Sequence, residues 1–250
     1  MTRLAQAAAL LLFAASSCMP PAASEAGPDQ RGSGIAAEPG AAQRRDGPAG
    51  LHEIRTGGAR PALLYVPASY RSGREMPLVV MLHGAGGAPA HGVELARSHA
   101  DPLGFILLAP ASRAATWDVI AERRYGADVT SIEAALKQVF EHYDVDRRRI
   151  AIAGFSDGAS YALSLGLSNG GLFDYVLAFS PGFMAPDRPL GTPRIFISHG
   201  VQDRVLPIER CSRRIVPQLR RMGYQVDYRE FPDGHTVPEP LARAAFAALA

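Results

Sequence analysis

Short apolar segments alternate with longer amphipathic segments along most of this chain, starting near residue 51. The short segments are rich in valine, isoleucine, leucine and aromatic residues, and several are apolar at consecutive positions. This pattern predicts strands that are covered by helices on both faces of a sheet. The predicted strands span residues 62–67, 77–83, 105–110, 149–154, 175–180, 194–199 and 225–231.

Most of the intervening segments repeat apolar residues every three or four positions, which is typical of amphipathic helices. The alternation of strands and helices predicts an α/β fold with one doubly wound, mostly parallel sheet, and a chain of 250 residues is commonly a single such domain. In this architecture the reactive residues follow the carboxyl ends of the strands. The clearest predicted helices span residues 129–142, 158–167, 208–222 and 240–249.

The first residues have the pattern of an export signal. Arg3 precedes an apolar segment over residues 4–15 that is too short to span a bilayer as a stable helix. Small residues at 22–24 offer an ordinary cleavage site, whereas the residues before Cys18 resemble the acylation site of lipoproteins. Residues 1–24 are therefore predicted to direct export, either to the periplasm or medium or to a membrane through a lipid on Cys18.

Composition divides the rest of the chain into a linker and a folded domain. Residues 25–50 are rich in alanine, glycine, proline and charge, and Ile35 is their only large aliphatic residue. Such a segment buries too little apolar surface to order itself, so it is predicted to be a disordered linker. Residues 51–250 are predicted to form the folded domain. That domain holds one cysteine, Cys211, so its stability is expected to rest on an apolar core without a disulfide.

The charge of the chain argues against a nucleic-acid partner. The formal net charge is only +2, and arginine clusters such as residues 147–149 lie among acidic residues. This distribution predicts solvated helix faces rather than one basic surface.

The pentapeptide GFSDG at residues 154–158 directly follows a predicted strand. It matches G-x-S-x-G, a strand-to-helix turn that exposes a serine hydroxyl at the end of a sheet and needs glycines where side chains do not fit. A match of this length also arises by chance. Ser156 is therefore a candidate nucleophile only if a base and an orienting acid accompany it.

An acid and a histidine occur where this architecture requires them. Asp203 follows the predicted strand at 194–199 and His235 follows the last predicted strand, which gives the order serine, acid, histidine. Taken singly, Asp203 is explained equally well as a turn or helix-cap residue, and His235 as a loop residue. Asp233 is a rival acid, but it lies only two residues from His235, where contact with Nδ1 of that ring is sterically awkward.

Acyl transfer also needs two backbone N–H groups directed at the oxygen that becomes negative. One is predicted to be the N–H of Asp157, directly after Ser156. The other is expected from the glycine-rich LHGAGG segment, where Ala85 or a neighbour directs its N–H inward. His83 precedes Ser156 in the chain, so it is interpreted as a residue that supports this loop and not as the catalytic base.

The segments LHGAGG, GFSDGAS, HGVQDRVLP and PDGH together resemble the α/β-hydrolase superfamily. Within it they are similar to the phospholipase/carboxylesterase-like group and its polyhydroxybutyrate-depolymerase-like and feruloyl-esterase-like relatives. The resemblance covers roughly residues 51–250 and implies a catalytic domain that hydrolyses carboxylic esters without a cofactor or metal. It also implies a catalytic triad of Ser156, Asp203 and His235.

Two residues depart from the pattern of these relatives. Asp157 stands where they often carry glutamine or asparagine, and Ala159 stands where a glycine is frequent. A carboxylate beside the oxyanion site is expected to disfavour anionic substrates. The sequence consequently says more about the chemistry than about the natural substrate.

The substrate pocket is predicted from large apolar residues near the active edge of the sheet. Trp117 follows the strand at 105–110 and either receives an acyl or aromatic group or anchors its loop in the core. Phe183 and Met184 lie in a connection too short for a cap domain, so the cleft is expected to be open and suited to short or aromatic acyl groups.

Two other functions stay open at this point. The same triad serves other acyl-transfer enzymes, such as thioesterases, peptidases and acyltransferases, which product analysis distinguishes. A non-catalytic binding protein of the cell envelope is the alternative of a different class, and a missing triad residue would indicate it. The expected partner is a small-molecule ester, and the sequence does not indicate an oligomeric state.

Overall fold

The computed structural model describes residues 32–40, 43–44 and 47–249. Within them, one sheet of eight strands forms the centre of the molecule, with the spatial order β1-β2-β4-β3-β5-β6-β7-β8. The strands are β1 (Gly50–Ile54), β2 (Ala62–Val66), β3 (Met76–Leu82), β4 (Ile106–Ala109), β5 (Val145–Phe155), β6 (Tyr175–Phe179), β7 (Arg194–Gly200) and β8 (Val226–Phe231).

Six strands, β3 to β8, are parallel to one another, whereas β1 and β2 form an antiparallel edge beside β4. The parallel strands place all their carboxyl ends at one edge of the sheet. The loops that follow β3, β4, β5, β7 and β8 therefore meet at that edge, and they carry every residue predicted for catalysis.

Helices cover both faces of this sheet, and alternate residues of each central strand face opposite layers. In β3, the buried side chains of Leu78, Val80 and Leu82 belong to one apolar cluster, whereas those of Val79 and Met81 belong to the other. This explains why the central strands are apolar at consecutive positions. The helices are α1 (Pro89–Leu103), α2 (Asp118–Ala121), α3 (Ala127–His142), α4 (Asp157–Ser168), α5 (Ser212–Arg221) and α6 (Glu239–Ala247).

All seven predicted strands and the four clearest predicted helices are present, and the predicted α/β fold class is confirmed. The sequence pattern missed β1, whose alternately exposed residues pair only with β2 at the edge of the sheet. It also started β5 too late, since the strand begins at Val145 among polar residues. Pairing with a neighbouring strand, and not apolar periodicity, determines both of these segments: β1 pairs with β2 at the edge, and Val145 pairs with Met76 of β3.

The predicted disordered linker over residues 25–50 is wrong for the part of it that the structure describes. Ser33 and Ala37 are buried, and the amide side chain of Asn169 accepts a hydrogen bond from Ile35 N–H (2.8 Å) and donates one to the carbonyl of Ser33 (2.8 Å). Polar groups at the end of α4 thus bind a segment whose own apolar content is too low to order it.

The predicted export signal over residues 1–24, including Cys18, lies outside the described residues. Export and acylation therefore stay predictions. Within the described ranges, none of the helices combines the length and the apolar character needed to cross a membrane.

Candidate active site

Ser156 occupies a sharp turn between β5 and α4 with an uncommon backbone conformation (φ 57°, ψ −121°). Glycines make the turn possible, because a Cβ on Gly154 would overlap the backbone of Gly158, and a Cβ on Gly158 would overlap the carbonyls of Leu82 and His83. The hydroxyl is left at the carboxyl edge of the sheet, where the predicted G-x-S-x-G turn requires it. The residue retains 9% of its surface exposure.

The structure brings Ser156, His235 and Asp203 into one hydrogen-bonded chain. Ser156 Oγ lies 2.9 Å from His235 Nε2, and His235 Nδ1 donates to Asp203 Oδ2 at 2.6 Å. The imidazole packs against the ring of Phe155, with 4.7 Å between ring centroids. This order of donors and acceptors leaves Nε2 free to accept the serine proton. The rival Asp233 instead accepts a hydrogen bond from the neighbouring Gly234 N–H (2.7 Å).

Asp203 is held by the short turn that follows it and by a second histidine. Its Oδ1 accepts the N–H groups of Val205 (2.9 Å) and Leu206 (2.8 Å). His199 Nε2 donates to the carbonyl of Leu206 at 2.8 Å and lies 3.2 Å from Asp203 Oδ2. The donors around Asp203 keep it oriented toward His235, and Leu206 links the acid to His199 through both of its backbone polar groups.

His199 is completely buried and acts as a neutral donor in this arrangement. Its Nδ1 accepts a hydrogen bond from the hydroxyl of Ser212 at 2.7 Å, so the ring proton is on Nε2. Burial lowers the pKa of His199 below its usual value of 6.5, although the carbonyl of Leu206 and the carboxylate of Asp203 oppose the shift. A neutral His199 ring places no positive charge beside Asp203 and His235.

The turn after β3 brings its backbone close to Ser156. A Cβ on Gly84 would lie 3.4 Å from the Cβ of Ser156, so the backbone there approaches the nucleophile closely. The carbonyl of Gly84 accepts hydrogen bonds from His83 Nδ1 (2.8 Å) and Gly87 N–H (3.1 Å). Because the C=O and N–H of a trans peptide point in opposite directions, these contacts fix the direction of the Ala85 N–H.

Comparison with known proteins assigns the chain to a family. The model of the Esterase family matches residues 54–210, which is more than half of the chain.

The chain belongs to the Esterase family.

Among curated relatives, the chain is 32% identical over 127 residues to an acetylxylan esterase of Coprinopsis cinerea, an alignment that covers 45% of this chain and 33% of that protein. It is 29% identical over 172 residues to an Aspergillus oryzae protein named "Probable feruloyl esterase C", covering 64% of this chain and 60% of the relative. The chain thus spans less than two thirds of the length of these relatives.

Solved structures share the fold at lower identity. A carboxylesterase from Mesorhizobium loti has a TM-score of 0.60 and 23% identity, covering 78% of this chain and 97% of that chain. A ferulic acid esterase from Anaeromyces mucronatus, solved in complex with ferulic acid, has a TM-score of 0.60 and 19% identity, covering 81% and 92%. This member of the Esterase family therefore has the α/β-hydrolase fold.

Of the two roles predicted for Trp117 in this Esterase-family chain, the pocket wall is wrong and the core anchor agrees with the structure. The side chain is 0% exposed, donates through Nε1 to the carbonyl of His83 (2.9 Å) and stacks on Tyr161 with 5.1 Å between ring centroids. The indole fills the space between the turn after β3 and α4, and it has no surface left for a substrate. It stabilises the loop that supplies Ala85.

Two buried carboxyl groups hold the loop after β4, which carries Trp117. Asp118 accepts the N–H groups of Gly126 and Asp128 and the hydroxyl of Tyr161, while Asp128 accepts the N–H groups of Arg113 and Asp118. Burial raises the pKa of both groups, and that of Asp128 reaches about 6 with a further contribution from the nearby Asp118. Their contacts are structural, because they satisfy backbone donors of the loop.

Phe183 and Met184 lie in the connection between β6 and β7, at the edge of the sheet that carries Ser156. Met184 is 8% exposed and Phe183 is partly buried against the apolar core. The connection is attached to α4, because Gly182 N–H donates to Ser160 Oγ (2.9 Å) and Ala185 N–H to Ser164 Oγ (2.8 Å). A role of Phe183 and Met184 in substrate binding stays a prediction.

Sequence reasoning missed three residues that the structure places around the site. Arg60 lies far upstream, and its guanidinium donates to the carbonyls of Gly87, Ser112 and Ala114, which joins the turn after β3 to the loop after β4. His199 was interpreted only as the end of a strand. Thr116 carries no signal at all, because its partner, Asp157, is remote in sequence.

In the parts of the chain that the structure describes, no three or more histidine, cysteine or acidic side chains form a group able to hold a metal ion.

Proposed function

We propose that this chain is a serine hydrolase that cleaves carboxylic esters through an acyl-enzyme intermediate. The observation that carries the proposal is the continuous hydrogen-bonded chain from Ser156 Oγ through His235 to Asp203 Oδ2. Membership of the Esterase family and the similarity to acetylxylan and feruloyl esterases support the same chemistry.

In the first step, His235 Nε2 takes the proton of Ser156 Oγ as the oxygen attacks the ester carbonyl. Asp203 holds the Nδ1–H tautomer and stabilises the positive charge that forms on the imidazole. The carbonyl oxygen becomes negative, and the N–H groups of Asp157 and Ala85 are the proposed donors to it. Neither N–H forms a hydrogen bond within the described part of the chain.

In the second step, the C–O bond of the ester breaks and His235 gives its proton to the departing alcohol. The acyl group is then bound to Ser156 Oγ. A water molecule, deprotonated by the same Nε2, attacks the acyl carbonyl and releases the carboxylic acid with regeneration of the serine hydroxyl. Ser156 lies at the amino end of α4, where the helix dipole favours the negative intermediate.

The proposed substrates carry short or aromatic acyl groups. Long acyl chains need an extended apolar surface, because each buried methylene contributes only about 0.8 kcal/mol and many must be enclosed. Enzymes that provide this surface commonly have a mobile lid. Here the connection between β6 and β7 is hydrogen-bonded to α4 at Gly182 and Ala185, so it is ill suited to open and close over a long chain.

We therefore expect kcat/KM to be highest for acetyl to butyryl esters and to fall at least about tenfold for acyl chains of about ten carbons or more. Hydroxycinnamoyl esters are expected to react as well as the short ones. The measurement is a p-nitrophenyl ester series run below micelle-forming concentrations. Rates that rise steadily with chain length would instead identify a lipase or a thioesterase.

A further prediction concerns His199. Replacing it by phenylalanine leaves the carbonyl of Leu206 and the hydroxyl of Ser212 without their buried partner and loosens the turn that presents Asp203. We expect His199→Phe to lower kcat by about tenfold or more with little change in KM, since the acid orients the base and does not bind the ester. Ser212→Ala, which leaves Nε2 bonded to Leu206, is expected to have a smaller effect.

The pH dependence of stability provides an independent test of His199. Its folded pKa is lowered, so below about pH 6.5 the unfolded chain binds a proton that the folded protein excludes, and the free energy of unfolding falls with acidification. His199→Phe lacks this contribution. The difference in Tm between the two proteins should therefore shrink from about pH 7.5 to about pH 5, and a constant difference would show that His199 is not held neutral.

A further inference from the structure

The carboxylate of Asp157 lies beside the proposed oxyanion donors. Asp157 is the first residue of α4, directly after Ser156, and its side chain is partly buried. Its Oδ2 accepts a hydrogen bond from Thr116 Oγ1 at 2.6 Å. The N–H of Asp157 is a proposed donor to the negative oxygen of the intermediate, whereas its carboxylate side chain is itself negative.

The hydrogen bond to Thr116 places this carboxylate between two segments of the site. Thr116 belongs to the loop after β4, and the preceding Ala115 accepts the N–H of Gly86 at 2.6 Å. Gly86 directly follows Ala85, the second proposed oxyanion donor. Asp157 therefore bridges the start of α4 and the loop that lies against the turn after β3.

Only one oxygen of Asp157 has a hydrogen-bond partner. Within the described residues, Oδ1 accepts no hydrogen bond, and no lysine or arginine forms an ion pair with this side chain. The adjacent start of α4 favours a negative charge, which explains why the fold accepts the acid at this position. One acceptor oxygen is consequently available to a bound molecule.

An available carboxylate oxygen at this place has two consequences for a bound ester. A negative group on the substrate near the ester carbonyl would be repelled. Three negative charges would then lie close together: the Asp157 carboxylate, the developing oxyanion and the substrate's own charge. A hydroxyl group near the ester would donate to Oδ1, and a hydrogen bond to a charged acceptor is among the stronger ones.

We propose that Asp157 determines specificity by accepting a hydrogen bond from a hydroxyl group that neighbours the ester bond of the substrate, and by rejecting esters that carry a negative charge there. The substrate class is then neutral esters of hydroxyl-rich alcohols or hydroxy acids. This inference rests on the proposed esterase function, because it assigns a role to Asp157 at the same site.

The test compares matched acetate esters through the acetate that they release. The first pair is hydroxyethyl acetate and methoxyethyl acetate, of which only the first has a hydroxyl that can donate a hydrogen bond. The second pair is acetoxypropionate, which carries a negative charge, and its neutral amide. For the unaltered protein, we expect kcat/KM to favour the hydroxyl and the neutral member of each pair by about tenfold. Asp157→Asn should reduce both preferences to within about threefold, since the amide has no negative charge and is a weaker acceptor.

Two variants separate a specificity role from a structural one. Thr116→Val removes the hydrogen bond to Oδ2 but keeps the charge, so rejection of acetoxypropionate should persist. Asp233→Asn removes an exposed negative charge from the loop that carries His235, and both preferences should be unchanged in it. If Asp157→Asn only lowers Tm, or lowers all rates equally, Asp157 is structural and the inference is overturned.

Failure of this inference is distinguishable from failure of the proposed function. Equal rates within both substrate pairs in the unaltered protein would overturn the role of Asp157 while ester hydrolysis stands, and this result does not depend on any variant folding. Absence of acetate release from all four esters and from p-nitrophenyl acetate, in a protein with native circular dichroism, would overturn the proposed function itself.

Discussion

Ser156→Ala is expected to lower kcat/KM for a chromogenic acetate ester by about 10⁴-fold or more, and His235→Ala by a similar factor. The two effects should be alike because neither residue works without the other. Ser156 Oγ is a weak nucleophile unless Nε2 of His235, 2.9 Å away, removes its proton. The double variant should therefore be little worse than either single one.

The control for these variants is Ser98→Ala, which removes a hydroxyl from an exposed position on α1. It should leave both rate and Tm unchanged. Far-ultraviolet circular dichroism and Tm should show that Ser156→Ala and His235→Ala remain folded, since Ser156→Ala removes a single hydroxyl and His235 is partly exposed at the edge of the sheet, outside the apolar core. A folded Ser156→Ala protein with a rate near that of the unaltered chain would exclude the proposed mechanism.

Asp203→Asn is expected to lower kcat by at least about 10³-fold with little change in KM. Asp203 Oδ2 accepts the Nδ1–H of His235 at 2.6 Å, and an amide in its place can present its NH₂ group to the ring instead. The ring would then carry its proton on Nε2, where it cannot accept the serine proton. The amide also fails to stabilise the imidazolium that forms during the reaction.

Asp233→Asn is the matched control for this change, since it alters an acid in the same loop as His235. The side chain of Asp233 is bonded to Gly234 N–H and is exposed, so a change of less than about threefold is expected in kcat. Equal losses in the two variants, or a larger loss in Asp233→Asn, would transfer the role of the acid to Asp233.

The site is assembled by the parallel arrangement of the strands. Ser156, Asp203 and His235 follow β5, β7 and β8, respectively. Ser156 and His235, which are hydrogen-bonded to each other, are 79 residues apart in the sequence. A turn at the end of a strand positions each of these residues. Their convergence follows because parallel strands all end at one edge of the sheet.

Local sequence was sufficient to predict seven of the eight strands in the described residues, the main helices and the turn at Ser156. Apolar residues at consecutive positions identify strands buried on both faces, and the glycines at 154 and 158 lie where any side chain would overlap neighbouring backbone. These features depend on residues close in the chain. The order of acid and histidine after the serine then indicated which later loops carry its candidate partners, and in the structure His235 contacts both Ser156 and Asp203.

The sequence by itself therefore determined the α/β architecture and the candidate reactive residues at the strand ends, because both depend on local patterns of burial and on turns. Only the tertiary structure decided that Trp117 fills the core, that Asn169 binds residues 33–35, and that His199 and Thr116 support the site. The contacts of Trp117, Asn169 and Thr116 join segments distant in sequence. Those of His199 lie nearer along the chain but depend on how the loop after β7 folds back. Such contacts depend on how loops pack together in three dimensions, and a single sequence carries no local signal for them.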